Sequence, residues 1–251
     1  ITVKHLDRIC SRSSTISLIP QYYCQKNRRN MASDGKKSFG VDLNKYTDTK
    51  GAFIRPPSTF RNFVGEGEFV AEKDRYHLYV SYACPWAHRT LIFRALKGLT
   101  DLIDISVVHP DMLSDGWTFE TDADGATGDT LYGLPFARDI YTRADPDVSG
   151  RVTVPILWDK QQNTIVSNES SEIIRMFNTA FNDITGNTDD FWPKDLRDAI
   201  APINDRVYDT VNNGVYKAGF ATTQSAYEDA VIPLFETLDW LEDRLSGRRY
   251  L

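Results

Sequence analysis

The sequence predicts an α/β domain followed by an all-α domain, and three stretches carry that expectation. A strand, a helix and a second strand follow one another between Tyr76 and Val108; a hairpin and a helix follow between Val154 and Phe181; from Asp195 onward the periodicity is helical only. A strand–helix–strand unit closes with parallel strands, because the crossover is right-handed and packs back on the same sheet.

The run Tyr76–Tyr82 is aromatic-rich and alternating, which marks a strand. Cys84-Pro85 then opens a helix, with Ala87, Leu91, Ala95 and Leu96 expected on one face and Gly98 as its stop. Ile103–Val108 reads as the second strand. Residues 111–150 break the rhythm with nine acids, two bases and turn glycines, the composition of an acidic insertion that is functional or mobile. Val154–Trp158 and Thr164–Ser167 form a hairpin across a polar turn. Ser167-Asn168-Glu169-Ser170 leads into a helix carrying Ile173, Ile174, Phe177 and Phe181. Beyond Asp195, Ile200, Ile203, Val207 and Val211 form one stripe, and Tyr227, Ala230, Val231, Leu234, Leu238, Leu241 and Leu245 another. Pro202 and Pro233 require a kink or a helix start near each. The order is that of a thioredoxin-like domain followed by a helical one. We assign residues 40–188 to the first and 189–251 to the second, with 1–39 as a leader or tail.

Hydrophobic residues at 41% and charged residues at 25% are ordinary for a globular protein. The net charge of −6 argues against a nucleic-acid partner, and no apolar run is long enough to suggest a membrane span. Charge is uneven. Residues 1–30 hold six bases and one acid, so 31–251 hold 23 bases and 34 acids. The basic start has the composition of an organellar transit peptide, while Met31-Ala32-Ser33 has the look of a translation start. A cytoplasmic setting is expected, or an organelle if the first thirty residues are a targeting segment.

Of three cysteines, Cys10 and Cys24 lie in that leader, which leaves Cys84 for the folded body. One cysteine makes no internal disulfide, and no Cys/His spacing suits zinc, so no metal is expected. At the start of a helix, a thiolate faces unpaired N–H groups and the positive end of the dipole, which favour the ionised form. Position 87 is alanine, so a resolving thiol is missing from the motif and a monothiol mixed-disulfide chemistry fits best. Val154-Pro155 is a candidate cis-proline step, although a trans proline opening an edge strand reads equally well locally. Glu169-Ser170 offers a carboxylate, a hydroxyl and free N–H groups to an amino-acid-like ligand, or simply caps a helix.

Together, Tyr82–Arg89, Arg151–Asp159, Ser167–Glu172 and Asn212–Phe220 resemble the signature stretches of the xi-class glutathione transferases, the glutathionyl-hydroquinone reductases. Omega-class relatives share Cys-Pro, Val-Pro and Glu-Ser, but not Asn-Asn-Gly-Val-Tyr-Lys-Ala-Gly-Phe. The resemblance implies a glutathione transferase fold with glutathione as co-substrate. It makes Cys84 the nucleophile that takes glutathione from a glutathionyl-hydroquinone, and Tyr216 the proton donor. Trp117, Arg151, Val152, Thr153, Val154, Glu169 and Ser170 would bind glutathione. It also implies a homodimer when the protein is full-length, and further helices after Gly247, which would make the helical domain here partial. Two other readings stay open: an omega-like thioltransferase or dehydroascorbate reductase, and a non-catalytic glutathione-conjugate binding protein.

Overall fold

The structure, a computed structural model, describes residues 46–112 and 114–251. The expected leader lies outside the described residues. Two compact units result, one built from 57–193 and the other from 46–56 with 194–251.

In the first unit the strands are β1 (Tyr76–Val80), β2 (Asp104–Val107), β3 (Ile156–Asp159) and β4 (Thr164–Ser167). They form one sheet in the order β2-β1-β3-β4. β1 and β2 are parallel, as expected, while β3 runs antiparallel to both β1 and β4. All five residues of β1 are buried, so both faces of the sheet are covered. On one face Tyr76, Leu78 and Val80 join the core with Phe177 and Phe181. On the other, the polar atoms of His77 and Tyr79 are satisfied by Ser106 on β2 and by Asp129. His77 Nε2 lies 2.8 Å from Ser106 Oγ, and Tyr79 donates to Asp129 at 3.2 Å.

Helix α1 (Pro85–Leu96) follows β1. Proline at its first turn loses nothing, since that N–H has no intrahelical acceptor. Its buried face differs from the expected one. Ala87 and Thr90 are buried, and the buried Lys97 follows as the C-cap, while Ala95 and Leu96 face outward. Gly98 ends the turn at φ +68°, a conformation that glycine adopts without strain.

Residues 114–150 pack against the sheet and hold α2 (Ala137–Ala144), a helix absent from the expectation. Asp129 organises it by accepting from the Leu131, Tyr132 and Leu134 N–H groups. α3 (Ser170–Thr179) follows β4. Phe181 is buried but lies beyond the end of α3, where the short α4 (Asn182–Thr185) begins.

The second unit holds α5 (Arg197–Val207), a π-turn at Tyr208–Asn212, α6 (Gly214–Gly219) and α7 (Gln224–Ser246). The expected stripe of Ile200, Ile203, Val207 and Val211 is partly buried at all four positions, and the π-turn interrupts the α-helix only before Val211. On α7 the buried line is Ala226, Ala230, Leu234 and Thr237, while Tyr227, Leu238 and Leu245 are exposed. α6 packs closely on this line: a Cβ on Gly214 would lie 3.1 Å from Leu234 Cδ1. Pro202 and Pro233 both sit inside helices rather than opening them. Among the described residues, no helix is long and apolar enough to cross a membrane.

Candidate active site

The site in the first unit starts at the junction of β1 and α1. Cys84 is the N-cap of α1, with φ −98° and ψ 112°, and is 9% exposed. Its N–H donates to the Ser81 carbonyl at 3.1 Å, and its carbonyl accepts from His88 N–H at 3.0 Å, which starts the helical ladder. The sulfur is therefore held at the helix's positive end. His88 lies on the exposed face of α1.

Across from the cysteine, the Val154–Pro155 bond is cis, which resolves the two readings of that step. The Cys84 thiol donates to the Val154 carbonyl at 3.5 Å, so the thiol and the cis-proline step meet directly. This is the central contact of the site.

The chain before Val154 is pinned from below. Tyr141, on α2, donates its hydroxyl to the Thr153 carbonyl at 2.9 Å and accepts from the Thr153 N–H at 3.2 Å. The same oxygen accepts from the Asn168 amide at 2.9 Å. Asn168 in turn accepts from Phe60 N–H, while its own N–H donates to the Phe60 carbonyl. Burial pushes the Tyr141 phenol up, so it stays neutral and keeps its donor. Sequence reasoning missed Tyr141, whose helix is hidden among acids and glycines. Asn168 lies within a quoted motif, but only the fold shows its partner.

Glu169, rather than a serine, is the N-cap of α3. Its carboxylate accepts from Ser171 N–H at 3.2 Å and Ser171 Oγ at 2.9 Å, and from Ser58 Oγ at 3.0 Å. Ser170 is the first residue of the helix and is buried. Trp117 is half-buried against the core, and its carbonyl accepts from the Ala137 N–H at the start of α2. Arg151 and Val152 are half-buried beside the pinned Thr153. Thus Cys84, Val154, cis-Pro155 and Thr153 form one connected framework, and Asn168 joins it to the start of α3 beside Glu169.

Tyr216 lies in the second unit, on α6. Its ring lies under the Arg55 guanidinium at 4.6 Å and 6.2 Å from the Phe220 ring. No motif in the sequence singles out Arg55. Among the described residues there is no group of three or more His, Cys, Asp or Glu side chains placed to hold a metal.

A family model described as the glutathione S-transferase N-terminal domain matches residues 83–180. The chain is 57% identical over 224 residues to glutathionyl-hydroquinone reductase YqjG of Escherichia coli (strain K12), covering 84% of this chain and 68% of that one. It is 51% identical over 215 residues to glutathionyl-hydroquinone reductase PcpF of Sphingobium chlorophenolicum, with the same coverage of 84% and 68%. Among solved structures, glutathione-S-transferase Xi from Phanerochaete chrysosporium superposes with a TM-score of 0.81 at 55% identity, covering 85% of this chain and 70% of that one. The glutathione-bound structure of YqjG gives a TM-score of 0.75 at 58% identity, with 77% and 66% covered. The chain therefore spans about two thirds of the length of these relatives. At such identity across four fifths of its residues, the chain belongs to the xi class of the glutathione transferases, the family of the glutathionyl-hydroquinone reductases.

Proposed function

We propose that this chain reduces glutathionyl-hydroquinones to hydroquinones at the expense of glutathione, with Cys84 as the nucleophile. The observation that carries the reading is the Cys84 sulfur, set at the N-terminus of α1 and in contact with the main chain before cis-Pro155. A thiolate at that position attacks the sulfur of the bound conjugate. The S–S bond forms as the aryl C–S bond breaks, and the electron pair passes to the ring carbon. Tyr216 gives that carbon its proton, because a phenol is a suitable acid for a carbanion-like centre. The hydroquinone leaves. A second glutathione thiolate then attacks the glutathione sulfur of the mixed disulfide, releasing oxidised glutathione and restoring Cys84. Alanine at position 87 fits this course, since a neighbouring thiol would intercept the mixed disulfide.

Glutathione recognition falls to the pinned framework. The main chain of Val154 pairs with the cysteinyl backbone, and Arg151 meets a carboxylate in bidentate fashion. Glu169 receives the γ-glutamyl ammonium, and the start of α3 at Ser170 receives its carboxylate. Val152 and Thr153 shape the groove, and Trp117 packs against the tripeptide. The reading also carries a homodimer in a reducing, cytoplasmic setting, where glutathione keeps Cys84 reduced.

The test is turnover of a glutathionyl-hydroquinone with glutathione, following hydroquinone and oxidised glutathione in equal amounts. Cys84→Ser should abolish turnover and keep glutathione binding. Preferred turnover of hydroxyethyl disulfide or dehydroascorbate would assign a thioltransferase instead. Binding of the conjugate without turnover by the parent chain would assign a binding protein.

A further inference from the structure

The second unit holds a device around Tyr216 that the proposed chemistry has not used. Residues 46–55 form a strap. Thr47 and Phe53 bridge in antiparallel fashion, and Ile54 N–H donates to the Tyr46 carbonyl at 2.7 Å. The strap turns at Gly51, at φ +89°, against the start of α7. There Thr222 N–H donates to the Gly51 carbonyl at 3.0 Å, and Thr223 Oγ1 donates to the Lys50 carbonyl at 2.8 Å. Thr223 is also the N-cap of α7. Farther along, Phe53 packs on Phe220 with ring centroids 5.2 Å apart. These anchors fix the next turn of chain, which carries Arg55, over the Tyr216 ring at 4.6 Å. The neighbouring cation, Lys217, is engaged elsewhere, with its Nζ 2.5 Å from Asp209 Oδ1.

The geometry points to Arg55 as a positioning residue for the proton-donating step, acting through Tyr216; this rests on the reading of Tyr216 as the donor. When Tyr216 gives its proton to the ring carbon, its oxygen carries the negative charge until solvent returns a proton. A guanidinium held over the ring face stabilises that charge, which spreads into the π-system. The same cation fixes the tilt of the phenol. Arg55 therefore matters when the donor becomes negative and is idle in thiol–disulfide exchange, where no carbon is protonated.

The experiment compares Arg55→Met, Arg55→Lys, Tyr216→Phe and the double variant in the full chain, each checked for a native melting profile. Arg55→Gln replaces the methionine variant if that one fails to fold. Hydroquinone release is measured in a single turnover, and thiol transfer to hydroxyethyl disulfide serves as the control. A cation–π contact of this kind predicts that Arg55→Met slows hydroquinone release roughly 3- to 30-fold at unchanged KM. Thiol transfer should be spared, Arg55→Lys should recover most of the rate, and Arg55→Met should add nothing to Tyr216→Phe. Equal losses in both reactions, or full additivity with Tyr216→Phe, would make Arg55 structural and overturn the inference. A slow Tyr216→Phe beside a normal Arg55→Met would remove Arg55 alone. A normal Tyr216→Phe would remove the proton donor, and this inference with it.

Discussion

The Tyr141 hydroxyl donates to the Thr153 carbonyl at 2.9 Å and accepts the Thr153 N–H at 3.2 Å, so one side chain replaces a strand partner for that residue. With Asn168 as its third partner, the phenol uses its single donor and both acceptor positions. A buried network satisfied in this way holds one geometry, because any shift would leave a polar group without a partner in a low dielectric. What it holds is the chain leading into Val154, whose carbonyl meets Cys84.

Tyr141→Phe should therefore leave the Thr153 main chain and the Asn168 amide unpaired. The expected loss is about 1–3 kcal/mol in stability, and a KM for glutathione raised more than kcat is lowered. Thermal unfolding with steady-state kinetics at varied glutathione checks both. An unchanged KM would mean that Thr153 is not part of the glutathione groove.

A second prediction concerns the far end of the same hairpin. Arg75 donates through Nε and Nη2 to Asp159 Oδ2, at 2.9 and 2.6 Å, and both residues are buried. Asp159 Oδ1 accepts the N–H groups of Gln161 and Gln162 and so shapes the turn between β3 and β4. Asp159→Ala removes the close carboxylate partner of a buried guanidinium, leaving it the Glu68 carbonyl and the more distant Glu72, and should cost about 3–5 kcal/mol. The paired replacement of Arg75 and Asp159 by methionine and leucine should cost much less than Asp159→Ala. Urea unfolding of both variants decides, and equal losses would show that the turn, rather than the ion pair, carries the energy.

Gly51 gives the third. At φ +89° any side chain is strained, and a Cβ would lie 2.6 Å from Thr223 Cγ2 and 2.8 Å from Thr222 Oγ1. Gly51→Ala should destabilise the second unit by about 1–3 kcal/mol and raise proteolytic cleavage within 46–56. A protease-resistant alanine variant would mean that the strap relaxes without cost.

The four strands and the Cys84 junction were legible because each rests on a local signal: β-branched and aromatic runs, Cys-Pro at a turn, and a polar five-residue hairpin loop. α2 was not. Its inward residues Ala137, Ile140 and Tyr141 have helical spacing, but eight residues among glycines and carboxylates give too short a period to stand out. The α7 stripe held at Ala230 and Leu234 but not at Tyr227, Leu238 and Leu245, because hydrophobicity alone does not show which face α6 covers. Arg55 could not be found, since its role depends on a strap that brings together residues 55 and 216.

The last prediction follows from His77 on β1. It is 2% exposed, and its Nε2 lies 2.8 Å from Ser106 Oγ, which also contacts Thr130 Oγ1 at 2.9 Å. Burial penalises the imidazolium and lowers the His77 pKa to about 4, despite the opposing pull of Asp129. The folded state therefore keeps His77 neutral where the unfolded chain, titrating near the ordinary ~6.5, already binds a proton. The resulting stability is fully present above the unfolded value and is lost as pH falls from about 6.5 through about 4. Over that window the loss should approach about 3 kcal/mol, on top of the contribution of the carboxylates. Melting temperature against pH should show the fall in the parent and a shallower slope in His77→Gln, which has no proton to take up. Parallel curves for the two would mean that His77 is reached by water before global unfolding, and that the Ser106–Thr130 contact opens on its own.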